Sequence, residues 1–235
     1  MKNYLLIICF LAFAHTTFSQ KLGLNLGRIS SRYTLDSAES INSTQLGLVL
    51  DLSYTNHLHF QVGLDYLQKG TAFNVNLKEW VNNKLQTTHL DYTNRTNWID
   101  MPLMLKATTG NEGNVGVSFL LGGGIGWALN GTHKGKLVTN EQGVRQEFNI
   151  NERFTVDANK RAHGFFAMGA DFRFRHLVLT GMFRVGKTPM GGLELSKLPL
   201  IWVRTFSLSV GYTRYLSEIF TGKKRLVPPK KYIRD

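Results

Sequence analysis

The stretch QLGLVLDLSYTNHLHFQVGLDYLQKG, which spans Gln45–Gly70, contains two alternating runs separated by a short polar turn. In the first run, every second residue is a leucine or, at the end, a tyrosine, and the second run repeats the pattern after Asn56 and His57. A period of two predicts β-strands, and a short polar break between two such runs predicts a hairpin. Strands of about ten residues with one continuous apolar face and a terminal aromatic residue are typical of transmembrane β-barrels.

The same alternation recurs along the chain and predicts eight strands. They comprise Leu22–Gly27, the two runs above, Ile99–Lys106, Val115–Leu129, Phe166–Phe174, Leu177–Val185 and Phe206–Thr213. The connections near Asn56, Gly110 and Arg175 are short, whereas those at Ile29–Thr44, Lys69–Asn97, Asn130–Arg161 and Lys187–Leu200 are long and polar. Short periplasmic turns alternate with long outer loops in up-and-down barrels. We therefore predict an all-β, eight-stranded antiparallel up-and-down transmembrane β-barrel.

The N-terminal segment Met1–Ser19 has the pattern of a cleaved signal peptide: a basic start, an apolar run and a small-residue cleavage site. It contains the only cysteine, so the mature chain is expected to form no disulfide. No 18-residue apolar run follows it, which argues against a transmembrane helix. We predict three parts: residues 1–19 as signal peptide, residues 20–216 as barrel in the outer membrane, and residues 217–235 as a basic periplasmic tail.

The formal net charge of +12 indicates that the protein binds anionic partners. For an exported basic chain, anionic headgroups or lipopolysaccharide of the outer membrane are the expected partners, and nucleic acid is not. The basic tail is expected either to be a solvated extension or to bind an envelope or secretion-machinery protein, as the long loops could also do.

The composition of the second strand face distinguishes two kinds of barrel. A soluble ligand-binding barrel has its apolar face inward and charged residues outside. Here the second face is rich in Gly, Ser and Ala with single charges, which suits the narrow lumen of an eight-stranded barrel. The pattern favours an apolar face toward lipid, with the soluble ligand-binding barrel as an alternative.

Alternation also places seven charged residues in the predicted lumen. They are Asp51, Asp65, Asp100, Lys106, Asp171, Arg173 and Arg184. Because isolated charges away from water are costly, we expect them to form a paired network; the alternative is that some are solvated at the barrel mouths. A lumen filled in this way would conduct little, which argues against a general porin.

Two aromatic girdles and one proline complete the strand pattern. Trp98, Trp127 and Trp202 fall at the loop-side ends of strands, and Tyr54, Phe172, Phe174 and Tyr215 at the turn-side ends. Two such girdles are expected at the two membrane interfaces. Pro102 lies mid-strand and has no N–H for the ladder, so we predict a bulge with interrupted pairing there.

Motifs for catalysis or cofactor binding are weak. Gly181–Thr188 matches the phosphate-loop pattern G-x-x-x-x-G-K-[ST], but its residues alternate as a strand and glycines and a proline follow it, so no helix N-terminus is expected. No metal-ligand spacing or nucleophile motif is present. We predict no catalytic residue, metal or cofactor and a chain that is not an enzyme; a hydrolase or acyltransferase site on the outer loops remains the alternative.

Several segments resemble the PorT-type outer-membrane β-barrel family of Bacteroidota. They are Leu22–Gly27, Gly63–Gly70, the proline strand Trp98–Lys106 and the glycine strand Leu121–Trp127. Trp98 and Asp100 stand where the family pattern has Tyr and Glu. The resemblance implies a small barrel, and some members of the family serve the type IX protein-export and gliding apparatus. We therefore expect a structural or interaction role, as an accessory of secretion or surface adhesion.

Overall fold

The computed structural model describes residues 19–34, 37–55, 57–81, 84–109, 115–141, 144–156, 162–188 and 201–221. Its elements in chain order are β1 (Ser19–Tyr33), β2 (Ala38–Glu39), β3 (Ile41–Ser53), β4 (Leu58–Val81), β5 (Lys84–Thr109), β6 (Val115–Glu141), β7 (Val144–Thr155), β8 (Ala162–Phe174), β9 (Leu177–Thr188), β10 (Ile201–Tyr215) and the short helix α1 (Leu216–Thr221). In the described part of the chain, no helix is long and apolar enough to cross a membrane. The predicted signal peptide through residue 18 and the tail from residue 222 lie outside the described residues.

Eight long strands close into a barrel, which confirms the predicted fold class. The ring runs β1–β3–β4–β5–β6–β8–β9–β10, and every pairing is antiparallel. β10 returns to pair with β1 over thirteen residues, with Leu24 opposite Tyr212. Closure leaves no free edge within the membrane-height part of the sheet, where an unpaired backbone group would be costly.

The barrel is apolar outside and charged inside. Outward-facing Leu24 and Phe119 are 59% and 62% exposed, whereas inward-facing Asp100 and Lys106 are 0% and 3% exposed. A soluble barrel has the reverse arrangement, because water would solvate its outer face. The exposed apolar band therefore faces lipid, and the soluble ligand-binding alternative is wrong.

Two of the predicted polar loops are largely β-structure, so their prediction as loops was wrong, apart from the strand-like character that the sequence indicates around Ala72–Leu77 and His89–Tyr92. β4 and β5 continue through most of Lys69–Asn97, and β6 and β7 fill most of Asn130–Arg161. We call residues 69–81, 84–96, 131–141 and 144–155 the outer sheet. Because its outward face meets water, the sequence there lacks the apolar half of the alternation, and that half was the signal for strands.

The other two predicted loops differ less. Within Ile29–Thr44, β1 extends to Tyr33 and β3 begins at Ile41, with β2 between them. Of Lys187–Leu200, residues 189–200 lie outside the described residues.

Pro102 interrupts the β4–β5 ladder but is not a bulge. Pairing stops after Val62–Leu103 and resumes in the same register at Asp65–Asp100. The proline ring lies over Gly63, where an added Cβ would be 2.7 Å from Pro102 Cγ. The missing N–H therefore breaks the pairing, and a glycine opposite makes room for the ring without an extra residue.

The pairing of β5 with β6 has a register shift between Thr96 and Trp98, a few residues before Pro102. Thr96 pairs with Gly131 and Trp98 with Ala128, so β6 has one residue more than β5 in this interval. A bulge changes which residues face inward, and on β6 the buried side chains change from even numbers, as at Ala128, to odd numbers, as at His133. This bulge marks the start of the outer sheet.

The predicted girdle residues divide between the two faces. Trp127, Trp202, Tyr54, Phe172 and Phe174 lie on the outer face and are partly or fully exposed. Trp98 and Tyr215 do not. Trp98 is 1% exposed inside the barrel, because alternation places it on the face of Asp100; Tyr215 shares the face of lumen-lining Thr213 and has Lys21 Nζ 4.7 Å from its ring centroid.

Candidate functional site

The outer charge cluster lies in the lumen just below the outer sheet. It contains Asp65, Asp100, Arg184 and Lys69, all buried. Asp100 accepts a hydrogen bond from Arg184 Nη1 at 3.1 Å and one from Lys69 Nζ at 2.9 Å. Arg184 Nη2 also donates to Asp65. Contacts between β4, β5 and β9 thus converge on one carboxylate.

The inner charge cluster lies nearer the short turns. Lys106 Nζ is 2.7 Å from Asp171 and 3.2 Å from Asp51, and Arg173 Nη2 is 3.5 Å from Asp51. Thr180 donates a further hydrogen bond to Asp171 at 2.7 Å. Together the two clusters contain four carboxylates and four cations, so their formal charges cancel. Such pairing offsets part of the cost of removing the charges from water.

The structure brings together all seven charges that alternation placed inside, and it adds Lys69. Lys69 falls at the start of a predicted loop, although it continues the inward series Asp65–Leu67. Extending the period by two residues would have found it. Lys69 Nζ also lies 3.3 Å from His163 Nε2 and 4.9 Å from the centroid of the Trp98 ring.

A small cavity lies between the two clusters. Its volume, counted as space open to the centre of a water molecule, is about 40 Å³, which holds roughly three waters. Side-chain oxygens with no hydrogen-bond partner among the described residues line it, namely those of Asn25, Gln45, Gln61, Asp51 and Asp65. The cavity is too small for an organic substrate.

Apolar side chains occupy two further parts of the lumen. One cluster comprises Met104, Leu120, Phe165, Ala167 and Met182. A second comprises Ile29, Leu67, Trp98, Ala128 and Val156, with Phe154 packed against it at the base of the outer sheet. The charged clusters and these apolar clusters together occupy much of the lumen that the described residues enclose, and small cavities remain, one of them near the short turns between Lys21, Arg173 and Tyr215.

One buried Ser–His–Asp group has the wrong geometry for a catalytic triad. His59 Nδ1 lies 2.8 Å from Ser53 Oγ and 3.7 Å from Asp51 Oδ1. A triad needs the serine and the carboxylate on opposite ring nitrogens, whereas here both approach Nδ1. The three residues are also buried. In addition, no group of three or more potential metal ligands occurs among the described residues.

The motif Gly181–Thr188 lies within strand β9. Its residues pair with β10 along this length. The segment therefore has strand geometry, as alternation predicted, and its backbone amides are not arranged as a phosphate-binding loop.

An aromatic cluster lies within the outer sheet. The rings of His133 and Phe154 stack at 4.2 Å, and a hydrogen bond joins the Tyr92 hydroxyl to His133 Nδ1. Burial, and secondarily the nearby Glu152 carboxylate, raises the pKa of Tyr92 to about 12. The phenol is therefore held in its neutral form.

We expect the Tyr92 phenol to ionise at a higher pH than a solvated tyrosine. In a comparison of wild type with Tyr92→Phe, the tyrosinate absorbance that the variant lacks should develop near pH 12, not near the usual 10. Because the raised pKa favours the neutral phenol in the fold, its stabilisation is present below pH 10 and is lost as the pH rises toward 12. A difference centred near pH 10 would show that Tyr92 is solvated.

Comparisons with solved structures return small outer-membrane barrels. The attachment invasion locus protein Ail of Yersinia pestis is 15% identical, with a TM-score of 0.40 and coverage of 83% of this chain and 99% of that one. A major outer membrane protein of Thermus thermophilus is 13% identical, with a TM-score of 0.38 and coverage of 83% and 100%. These TM-scores are too low for the function of either protein to be transferred to this chain.

No curated protein matches the sequence. A family model, by contrast, covers most of the chain: the model of the outer membrane protein beta-barrel domain matches residues 15–188. This match and the lipid-facing band place the protein in the outer membrane. The chain belongs to the outer membrane protein beta-barrel domain family.

Proposed function

We propose that the protein is a non-conducting barrel that holds the outer sheet above the membrane as a binding surface, in a structural or interaction role accessory to protein secretion. The observation that carries the proposal is the combination of a lumen occupied by packed side chains with a hydrogen-bonded extension of β4–β7. On β6 the extension from Gly131 to Glu141 spans about 35 Å at the rise of a β-strand.

The free edge of β7 is the part of the outer sheet best suited to a protein partner. β7 pairs with β6 along its length, from Asn130–Thr155 to Glu141–Val144, and has no other strand partner among the described residues. Unpaired backbone donors and acceptors on an exposed edge can bind an extended segment of another chain. The resemblance to PorT-type barrels supports an envelope or secretion-machinery protein as that partner.

A non-enzymatic role fits the chemistry of the described residues. The buried Ser53–His59–Asp51 group lacks triad geometry, and the lumen cavity has no room for a substrate. We therefore propose no catalytic function.

The filled lumen leads to a prediction about conductance. Purified protein reconstituted into a planar bilayer should give no regular conductance steps, because paired charges and apolar side chains occupy the path of ions. A general porin reconstituted in the same way is the control. Regular steps at moderate voltage would contradict the non-conducting part of the proposal.

The outer sheet can be tested by shortening one hairpin. His133 pairs with Glu152, so an Asn-Gly turn joining these positions in place of residues 134–151 keeps the register. In a strain lacking the native gene, wild type should restore export of surface proteins and the shortened chain should not. Lys136→Gln, which leaves the β7 backbone intact, is the control, and heat-dependent gel mobility checks barrel folding. Full export with the shortened chain would overturn the proposal.

A further inference from the structure

Four cations lie together on the outer face of the barrel, at the end that carries the outer sheet. Arg28 and Arg32 are on β1, Arg204 is on β10 and Lys187 is on β9, and all four are exposed. These three strands are neighbours in the ring. We call these four residues the basic patch.

The basic patch begins where the apolar band ends. Arg28 follows Leu26 by two residues, and Arg204 precedes Phe206 by two, with Leu26 and Phe206 both more than half exposed. Two residues of strand span about 7 Å, which is the step from hydrocarbon to the headgroup layer. Because the long hairpins mark the outer side, this layer belongs to the outer leaflet.

The pairing of β1 with β10 places two arginines of the patch directly opposite each other. Arg32 lies directly opposite Arg204, so their Cβ atoms are about 5 Å apart, an arrangement that is destabilising unless another group neutralises it. Their outward-facing described neighbours on β1, β3, β9 and β10 include no carboxylate. Glu39 is exposed on β2, which contacts β1, but none of the four cations has an ion pair with Glu39 or with any other described residue.

Two exposed cations elsewhere in the described chain have carboxylate partners. Lys136 Nζ lies 2.7 Å from Glu147, and Arg214 Nε lies 3.7 Å from Glu218 at the opposite end of the barrel. At the basic patch, in contrast to these two sites, no carboxylate of the described residues forms an ion pair with a cation.

An interfacial tryptophan borders the patch. Trp202 pairs with Lys187 across β10 and β9, and the Lys187 Nζ lies 5.2 Å from the centroid of its ring. The ring is 47% exposed. Tryptophan is favoured at the headgroup level of membranes, which places the patch at the height of lipid phosphates.

We propose that the basic patch binds the phosphates of a phosphorylated glycolipid of the outer leaflet, namely the lipid A part of lipopolysaccharide. A phosphate between Arg32 and Arg204 would accept charge-assisted hydrogen bonds from both guanidinium groups and remove their repulsion. Arg28 lies four residues from Arg32, about 13 Å along the strand, so a headgroup with two separated phosphates can contact both positions while its acyl chains cover Leu26 and Phe206.

The test uses full-length protein in an uncharged detergent, titrated with lipid A and followed by native mass spectrometry. Arg32→Gln with Arg204→Gln should weaken lipid A binding by about tenfold or more, since the variant loses the charge-assisted hydrogen bonds of both guanidinium groups to phosphate. The matched control is Lys134→Gln with Arg153→Gln, which removes two exposed cations from the outer sheet and should leave the affinity unchanged.

The denaturant concentration at which the protein unfolds gives a second readout, because lipid A should reverse the order of stability of wild type and the double variant. Without lipid A, the Arg32/Arg204 double variant should unfold at the same denaturant concentration as wild type or higher, because it lacks the like-charge pair. With lipid A, wild type should become the more stable protein. If the double variant does not fold, wild type alone should distinguish lipid A from its dephosphorylated form.

Three results would overturn the proposal. One is unchanged lipid A affinity in the Arg32/Arg204 variant, and another is an equal loss in the Lys134/Arg153 control. Equal binding of dephosphorylated lipid A or of phosphatidylglycerol would also overturn it, since the first lacks the phosphates and the second lacks the glycolipid headgroup.

Discussion

Replacing Asp100 with asparagine should lower the free energy of unfolding by about 3–5 kcal/mol, the typical cost of removing one partner from a buried ion pair. Asp100 is fully buried and accepts hydrogen bonds from both Lys69 and Arg184. The asparagine side chain keeps the shape but not the charge. Arg184 retains Asp65 as a partner, whereas Lys69 loses the carboxylate to which it donates its hydrogen bond and remains buried.

The measurement is urea unfolding of the protein folded into lipid vesicles, with heat-dependent gel mobility as the probe of the closed barrel. The control is Glu147→Gln, which breaks the exposed Lys136–Glu147 ion pair of the outer sheet. Exposed pairs contribute about 0–1 kcal/mol, so this variant should unfold close to wild type. Equal small effects of the two substitutions would mean that water reaches the outer charge cluster.

Replacing Gly122 with alanine should destabilise the barrel by about 1–3 kcal/mol or prevent its closure, as overpacking does. Gly122 faces the lumen between Met104 on β5 and Ala167 on β8. An added Cβ would collide with the carbonyl oxygen of Leu103 and lie 2.9 Å from Met104 Cα. Both obstacles are backbone atoms, so no side-chain rotation can relieve the contact.

Gly181 provides a matched control on the outer face. It is also a strand glycine, on β9, but an added Cβ there meets nothing within 4 Å. Gly181→Ala should therefore change the free energy of unfolding by less than about 0.5 kcal/mol. The same vesicle unfolding experiment applies to both variants. A Gly122→Ala barrel as stable as the Gly181→Ala barrel would mean that β5 and β6 can separate at no cost.

Much of the lumen could be predicted from the sequence, because alternation assigns each residue of a strand to a face. The inward positions of Asp51, Asp100 and Arg184 follow from local pattern alone. Trp98 shows the limit of reading residues by type: its ring suggested a membrane girdle, but its position in the alternation places it beside the charges. Its indole lies 4.3 Å from the His163 ring, centroid to centroid.

By itself, the sequence determined the closed barrel and the direction of its apolar face. Both depend on a period of two and on the solvent of each face, which are local properties of every strand. Only the tertiary structure decided which charges pair, where the outer sheet continues and that Arg32 stands opposite Arg204. Those features depend on register between strands far apart in the chain, and the bulge on β6 changes the inward-facing residues from that point onward. Outside lipid, moreover, the outward residues of β6 and β7 are mostly polar, so the continuous apolar outer face that marks the membrane strands is missing there.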